Sequence, residues 1–248
     1  MATYLSILII ICSYFSSNFL VQSANITDQF TDSKHGIQMG KVIQGCDDAK
    51  TNLELDWNNS PTDYLCFHPK NPYPVKRIKS IQECVQLPSD YYPQHFCMDT
   101  KLSYNVTLPT YGDHRPLWPV FGEYKYVPPQ RWLHNIEHGA VVMLYHPCAH
   151  PFMVNRLRAI VRGCIRKHII TPYVHLDPDR PLALISWGCS LKINYVKRQE
   201  IVNFIRTTAL HGPEGKYAKE GQFTKNLIKI ATVPKGSNYN DTQLCPFF

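Results

Sequence analysis

The sequence predicts an α+β fold: a small mixed or antiparallel sheet with two helices, preceded by a loop-rich, disulfide-stapled region. Three observations predict it. The second half alternates apolar runs of strand length with two amphipathic stretches of helical period. Eleven of the 19 prolines fall between Pro61 and Pro129, which discourages long regular elements there. Eight cysteines remain for pairing once the one in an apolar leader is set aside.

Taken in order, residues 1–23 read as a signal peptide. Tyr4 to Val21 carries no charge, its centre is rich in leucine and isoleucine, and Val21-Gln22-Ser23 offers a cleavage site before Ala24. Residues 24–103 form a Cys/Pro-rich N-terminal region, residues 104–234 an α+β domain, and residues 235–248 a C-terminal tail. Within the domain, Ala140 to Tyr145 reads as a buried strand between Gly139 and Pro147. Pro151 to His168 reads as a helix with proline in its first turn and apolar positions at Val154, Leu157, Ile160 and Cys164. Residues 171–176 and 182–187 read as strands, 197–210 as a helix closed by Gly212-Pro213, and 226–233 as a last strand. That order matches the ferredoxin-like split βαβ pattern.

Composition narrows the class. With 12% aromatic and 18% charged residues the chain is neither disordered nor fibrous, and no later stretch approaches 18 apolar residues, so no transmembrane segment is expected in the mature chain. Cys46, Cys66, Cys84, Cys97, Cys148, Cys164, Cys189 and Cys245 predict four disulfides, of open pairing. No C-x-x-C occurs, which argues against a zinc ribbon or a thioredoxin-type motif. Four N-x-S/T sequons, at Asn25, Asn58, Asn105 and Asn240, complete a secretory signature, so the expected location is extracellular.

The densest group of ligand-type residues is Trp132-Leu-His134-Asn-Ile-Glu137-His138-Gly139. If Pro128-Pro129 opens a helix that Gly139 closes, His134 and His138 stand at i and i+4 with Glu137 on the same side. Two imidazoles and a carboxylate suit one divalent metal, zinc or copper, and His114 is the candidate for a further ligand. The order is not H-E-x-x-H, in which the glutamate serves as general base. The alternative is a set of structural side chains bonded to backbone and to one another. His146-Pro-Cys148-Ala-His150 is a weaker metal candidate, because Cys148 is expected in a disulfide.

Together, Pro109-Thr-Tyr-Gly-Asp-His114, His134-Asn-Ile-Glu-His-Gly139, Leu184-Ile-Ser-Trp-Gly188 and Gly212-Pro-Glu214 resemble a bacterial and animal domain family of unknown function with an H-N-x-E-H-G signature. Its animal branch is the tumour protein p53-inducible protein 13 family. The resemblance runs from about Tyr104 to Gly215. It implies an extracytoplasmic domain, a growth-suppressing role in the animal branch, and His114, His134, Glu137 and His138 as the polar core. It implies no reaction and no cofactor. Relatives can carry a membrane-spanning segment; this sequence offers none after the domain, so an anchor is not expected to be inherited.

Charge is uneven: residues 151–248 hold 15 basic and 6 acidic side chains, against 11 and 13 over residues 1–150. Arg158, Arg162 and Arg166 recur every four residues and form a candidate patch for an anionic glycan or an extracellular protein partner. The alternative is a solvated helix face. Nucleic acid is not expected, since the stretch lacks aromatic–basic interleaving. No G-x-S-x-G, P-loop or G-x-G-x-x-G is present. The expected function is a secreted, glycosylated protein with an extracellular binding or signalling role. The competing expectation is a metal-dependent extracytoplasmic hydrolase or oxidoreductase using an open coordination position.

Overall fold

A computed structural model describes residues 30–67, 72–217 and 219–248. The expected signal peptide and the Asn25 sequon lie outside the described residues. The elements run β1 (Thr31–Asp32), β2 (Gly36–Ile37), β3 (Ile81–Cys84), β4 (Gly122–Tyr124), α1 (Pro129–Glu137), β5 (Val141–Tyr145), α2 (Pro151–Cys164), β6 (His168–Pro172), β7 (Leu182–Ser186), β8 (Cys189–Ile193), α3 (Arg198–Thr208) and β9 (Leu227–Ile230). β1 and β2 make a small hairpin. The other strands form one mixed seven-stranded sheet in the order β3-β8-β7-β5-β6-β4-β9.

The α+β class is as the sequence predicts, but the sheet is larger and is not a split βαβ. β5 and β6 pair directly and in parallel, Val141 opposite His168, so no strand is inserted between them. β7 pairs antiparallel with the other edge of β5 and turns through Trp187-Gly188 into β8. Three α-helices are described rather than two, since the short segment before Gly139 is itself a helix.

Alternation sorts each central strand between two cores. Val141, Met143, Ile170, Leu182 and Leu184 face α2 and α3. Val142, Leu144, Ile169, Ala183 and Ile185 face α1 and the loops around Leu117, Phe121 and Trp132. Both faces are covered, as a sheet with a parallel core requires. Each such fully buried Leu or Ile contributes roughly 1.5–3 kcal/mol relative to exposure.

The expected helix to His168 stops at Cys164. Ile165 adopts an extended backbone, and the N–H groups of Arg166 and Lys167 donate to the buried carboxylate of Asp241 at 2.6 and 2.9 Å. That turn starts β6 three residues earlier than the 171–176 reading and leaves residues 173–176 as loop.

The eight cysteines of the described residues all pair: Cys46–Cys97, Cys66–Cys148, Cys84–Cys189 and Cys164–Cys245. Two of these tie the proline-rich half to the sheet, one at the loop after β5 and one across β3 and β8. Such bridges form and persist in oxidising surroundings. Among the described residues no helix is long and apolar enough to cross a membrane.

Candidate metal centre

Helix α1 positions the centre. Pro129 opens it, its fixed φ being pre-organised for a first turn. Every residue from Arg131 to Glu137 is buried, so each polar side chain needs a partner. Arg131 grips the buried Asp47 with two nitrogens, at 2.5 and 2.9 Å. Asn135 Nδ2 donates to the Pro119 carbonyl at 2.9 Å. His134 and Glu137, one turn apart, point at two histidines from the proline-rich half.

Those two are His95 and His114, held side by side by a parallel bridge. Phe96 N donates to the His114 carbonyl at 3.0 Å, and His114 N to the Gln94 carbonyl at 3.1 Å. The coordinating atoms of His95, His114, His134 and Glu137 all lie within 4.8 Å of one another, and all four residues are buried.

The hydrogen bonds behind the rings decide their chemistry. Nδ1 of His95 contacts the Ile37 carbonyl at 2.7 Å, Nδ1 of His114 the Gly112 carbonyl at 2.8 Å, and Nδ1 of His134 the Arg115 carbonyl at 2.7 Å. A carbonyl only accepts, so each Nδ1 carries a proton, and in His95 and His134, which burial keeps neutral, Nε2 is left with a lone pair for a ligand. Among the described residues the Nε2 atoms of His95 and His134 have no hydrogen-bond partner, while that of His114 lies 3.1 Å from Glu137 Oε2. A carbonyl behind each inward-facing imidazole is the arrangement that orients metal-ligating histidines. The four residues could hold a metal ion.

Burial, and then the neighbouring His114, pushes His95 down to about 3, and burial pushes His134 well below the usual histidine range. Both are therefore neutral, ligand-competent imidazoles at physiological pH. Burial works against a charged Glu137, yet its contacts with His114 and His35 hold it below the ordinary glutamate range.

His138, the remaining candidate from the sequence, is not one of the four, although its ring packs 4.7 Å from that of His134. α1 ends at Glu137, and His138 is its cap, with Nε2 3.0 Å from Glu214 Oε2. Burial lowers its pKa, partly offset by that carboxylate. His95 and His35 escaped sequence reasoning. His35, at the tip of the β1–β2 hairpin, places Nε2 3.4 Å from Glu137 Oε1 and Nδ1 3.5 Å from Asp32 Oδ2. Burial opposes its charge, but the carboxylates of Glu137, Glu214 and Asp32 together raise its pKa.

The remaining candidates are dispersed. Arg158 and Arg162 both bind Glu123, and Arg166, almost wholly buried, binds Glu220 and the Tyr239 carbonyl at 2.8 Å. Asn58, Asn105 and Asn240 are exposed. His146 contacts Tyr73, and His150 caps α2 through Phe152 N at 3.3 Å.

Fold and cluster together define a disulfide-bonded α+β protein with a buried His/Glu centre. Residues 95–221, just over half of the chain, match the family described as "Protein of unknown function (DUF3105)", and the chain belongs to that family. It is 28% identical over 93 residues to tumor protein p53-inducible protein 13 of Mus musculus, covering 36% of this chain and 23% of the relative. Against the protein of the same name from Rattus norvegicus the identity is 30% over 84 residues, covering 33% and 21%. The chain thus spans less than a quarter of the length of these relatives. No solved structure matches. The family match begins at His95 and includes all four clustered residues; His35 precedes it.

Proposed function

We propose that this is a secreted, glycosylated protein whose His95, His114, His134 and Glu137 hold one divalent transition metal, zinc or copper, as a structural centre. The carrying observation is the set of three Nε2 atoms, each fixed by an Nδ1–H bonded to a backbone carbonyl, facing one carboxylate. Imidazole and carboxylate donors suit zinc and copper, and four protein donors in a buried pocket suit a closed shell. A catalytic site instead keeps a position open to substrate. The full burial of His114, His134 and Glu137 therefore favours the structural role over the metalloenzyme.

The ion would join helix α1 to the bridged segments of His95 and His114, and so unite the proline-rich half with the sheet. The outward role we assign is extracellular binding or signalling, with growth restraint carried over from the family resemblance. Elemental analysis of protein from a secretory host tests the reading. One equivalent of zinc or copper per chain is expected, and metal-free, folded, disulfide-intact protein that takes up neither ion overturns it.

A further inference from the structure

A groove of about 990 Å³ is lined among others by Tyr91, Tyr104, Tyr111, Asp113, Asn105 and Asp177. Its volume lies at the upper end of ordinary ligand sites. One wall is the chain around Asn105-Val106-Thr107, a sequon whose three residues are all exposed. We infer that this groove is the bed of the chain's own N-linked glycan, attached at Asn105, with its first sugars lying against Tyr91 and Tyr111. The inference rests on the secretory part of the proposed function.

The wall is pinned in place. Gln130 Nε2 donates to the Leu102 carbonyl at 3.0 Å, the Tyr173 hydroxyl to the Thr107 carbonyl at 2.5 Å, and Gly188 N to the Thr110 carbonyl at 2.9 Å. The aromatic floor is likewise set. Tyr91 meets Tyr111 edge to face at 5.7 Å and leans on Trp187 at 6.1 Å, and the Tyr104 hydroxyl donates to the Asp113 carbonyl at 2.8 Å.

Rigid tyrosines present amphipathic surface at low entropy cost, which suits the C–H faces of a sugar ring. The carboxylates of Asp113 and Asp177 can accept from sugar hydroxyls. A tethered sugar meets such contacts at millimolar effective concentration, so individually weak contacts suffice.

In the attachment step, Asn105 Nδ2 bonds to the anomeric carbon of a lipid-linked oligosaccharide. The lipid pyrophosphate leaves, and the amide gives up one proton. Asn58 and Asn240 are exposed sequons outside the groove and serve as internal controls.

The test uses the full chain secreted from a eukaryotic host. Site-resolved mass spectrometry follows release of each glycan by a peptide N-glycosidase under native conditions. Release from Asn105 is expected to be about tenfold slower than from Asn58 and Asn240. The difference should vanish in Tyr111→Ala, which alters a partly exposed side chain. Amide exchange over residues 103–108 should be slower in the glycosylated protein than in Thr107→Ala, which lacks the sequon. Equal release at all three sites, or an empty Asn105 beside occupied Asn58 and Asn240, overturns the glycan bed alone. Absence of carbohydrate at every sequon overturns the secretory reading with it.

Discussion

Nε2 of His114 lies 3.1 Å from Oε2 of Glu137, both side chains wholly buried. With the His114 Nδ1 proton committed to the Gly112 carbonyl, an Nε2 left without a proton would set its lone pair against the carboxylate, a repulsive contact. It becomes attractive only when a cation stands there, either an imidazolium proton or a metal ion. At His95 and His134 burial disfavours the imidazolium proton, which leaves a metal ion as the cation those rings can meet. Metal binding should therefore stabilise the fold measurably. Adding zinc or copper at a hundred times its dissociation constant is expected to raise unfolding stability by about 2.7 kcal/mol. Chelator should reverse the gain in thermal melts, and a melting temperature indifferent to both would count against the centre.

Gly212 ties the centre to the following loop. A Cβ there would sit 2.1 Å from the Glu137 carbonyl oxygen and 2.5 Å from that of Ile136. Nearby, Glu214 N donates to the Glu137 carbonyl at 3.1 Å. Gly212→Ala must push the end of α1 away, at a cost of about 1–3 kcal/mol. It should also lower metal occupancy, because His134 and Glu137 move with the helix. Wild-type stability with full occupancy in this variant would contradict the packing.

Arg131 and Asp47 form a buried pair that Ala49 N also joins, donating to Asp47 at 3.0 Å. Removing one partner strands a charge in the core. Arg131→Ala should therefore destabilise by about 3–5 kcal/mol in denaturant titrations, and Arg131→Met with Asp47→Leu should recover most of the loss.

Acid sensitivity has a source outside the centre. Burial pushes His168 down to about 4, its Nδ1 donating to the Ile165 carbonyl at 2.7 Å. Below pH 6.5 the unfolded chain binds a proton that the folded protein refuses. The contribution is thus complete above about 6.5 and lost as pH falls toward 4. Roughly 2 kcal/mol should disappear between pH 7 and pH 5. His168→Asn keeps a donor but cannot titrate, so its stability should fall less over that interval. An equal fall would remove His168 as the cause.

Much of the sheet was legible in the sequence because its central strands are uniformly apolar and its helices keep one face. α1 could be read from Pro128-Pro129 and Gly139, which bracket it. β8 was readable in principle, since Leu191 and Ile193 alternate with Ser190 and Lys192 after the Gly188 turn. The end of α2 was not, because it depends on Asp241, 75 residues on from Arg166.

The metal set divides along the same line. His134 and Glu137 are neighbours on one helix, and local spacing suffices to join them. His95 stands in an irregular stretch with no periodic signal, and its bridge to His114, its hydrogen bonds to the β1–β2 hairpin and the nearby Cys46–Cys97 disulfide carry it to the centre. His35 arrives on a hairpin of two-residue strands, again through contacts distant in sequence.

The most direct measurement is metal content, read in parallel on wild type, His95→Ala and His138→Ala, each purified folded and oxidised from a secretory host. One equivalent in wild type and in His138→Ala, with occupancy largely lost in His95→Ala, is the predicted result. Metal retained in His95→Ala but lost from His138→Ala, or absent from all three, would contradict a centre built from His95, His114, His134 and Glu137.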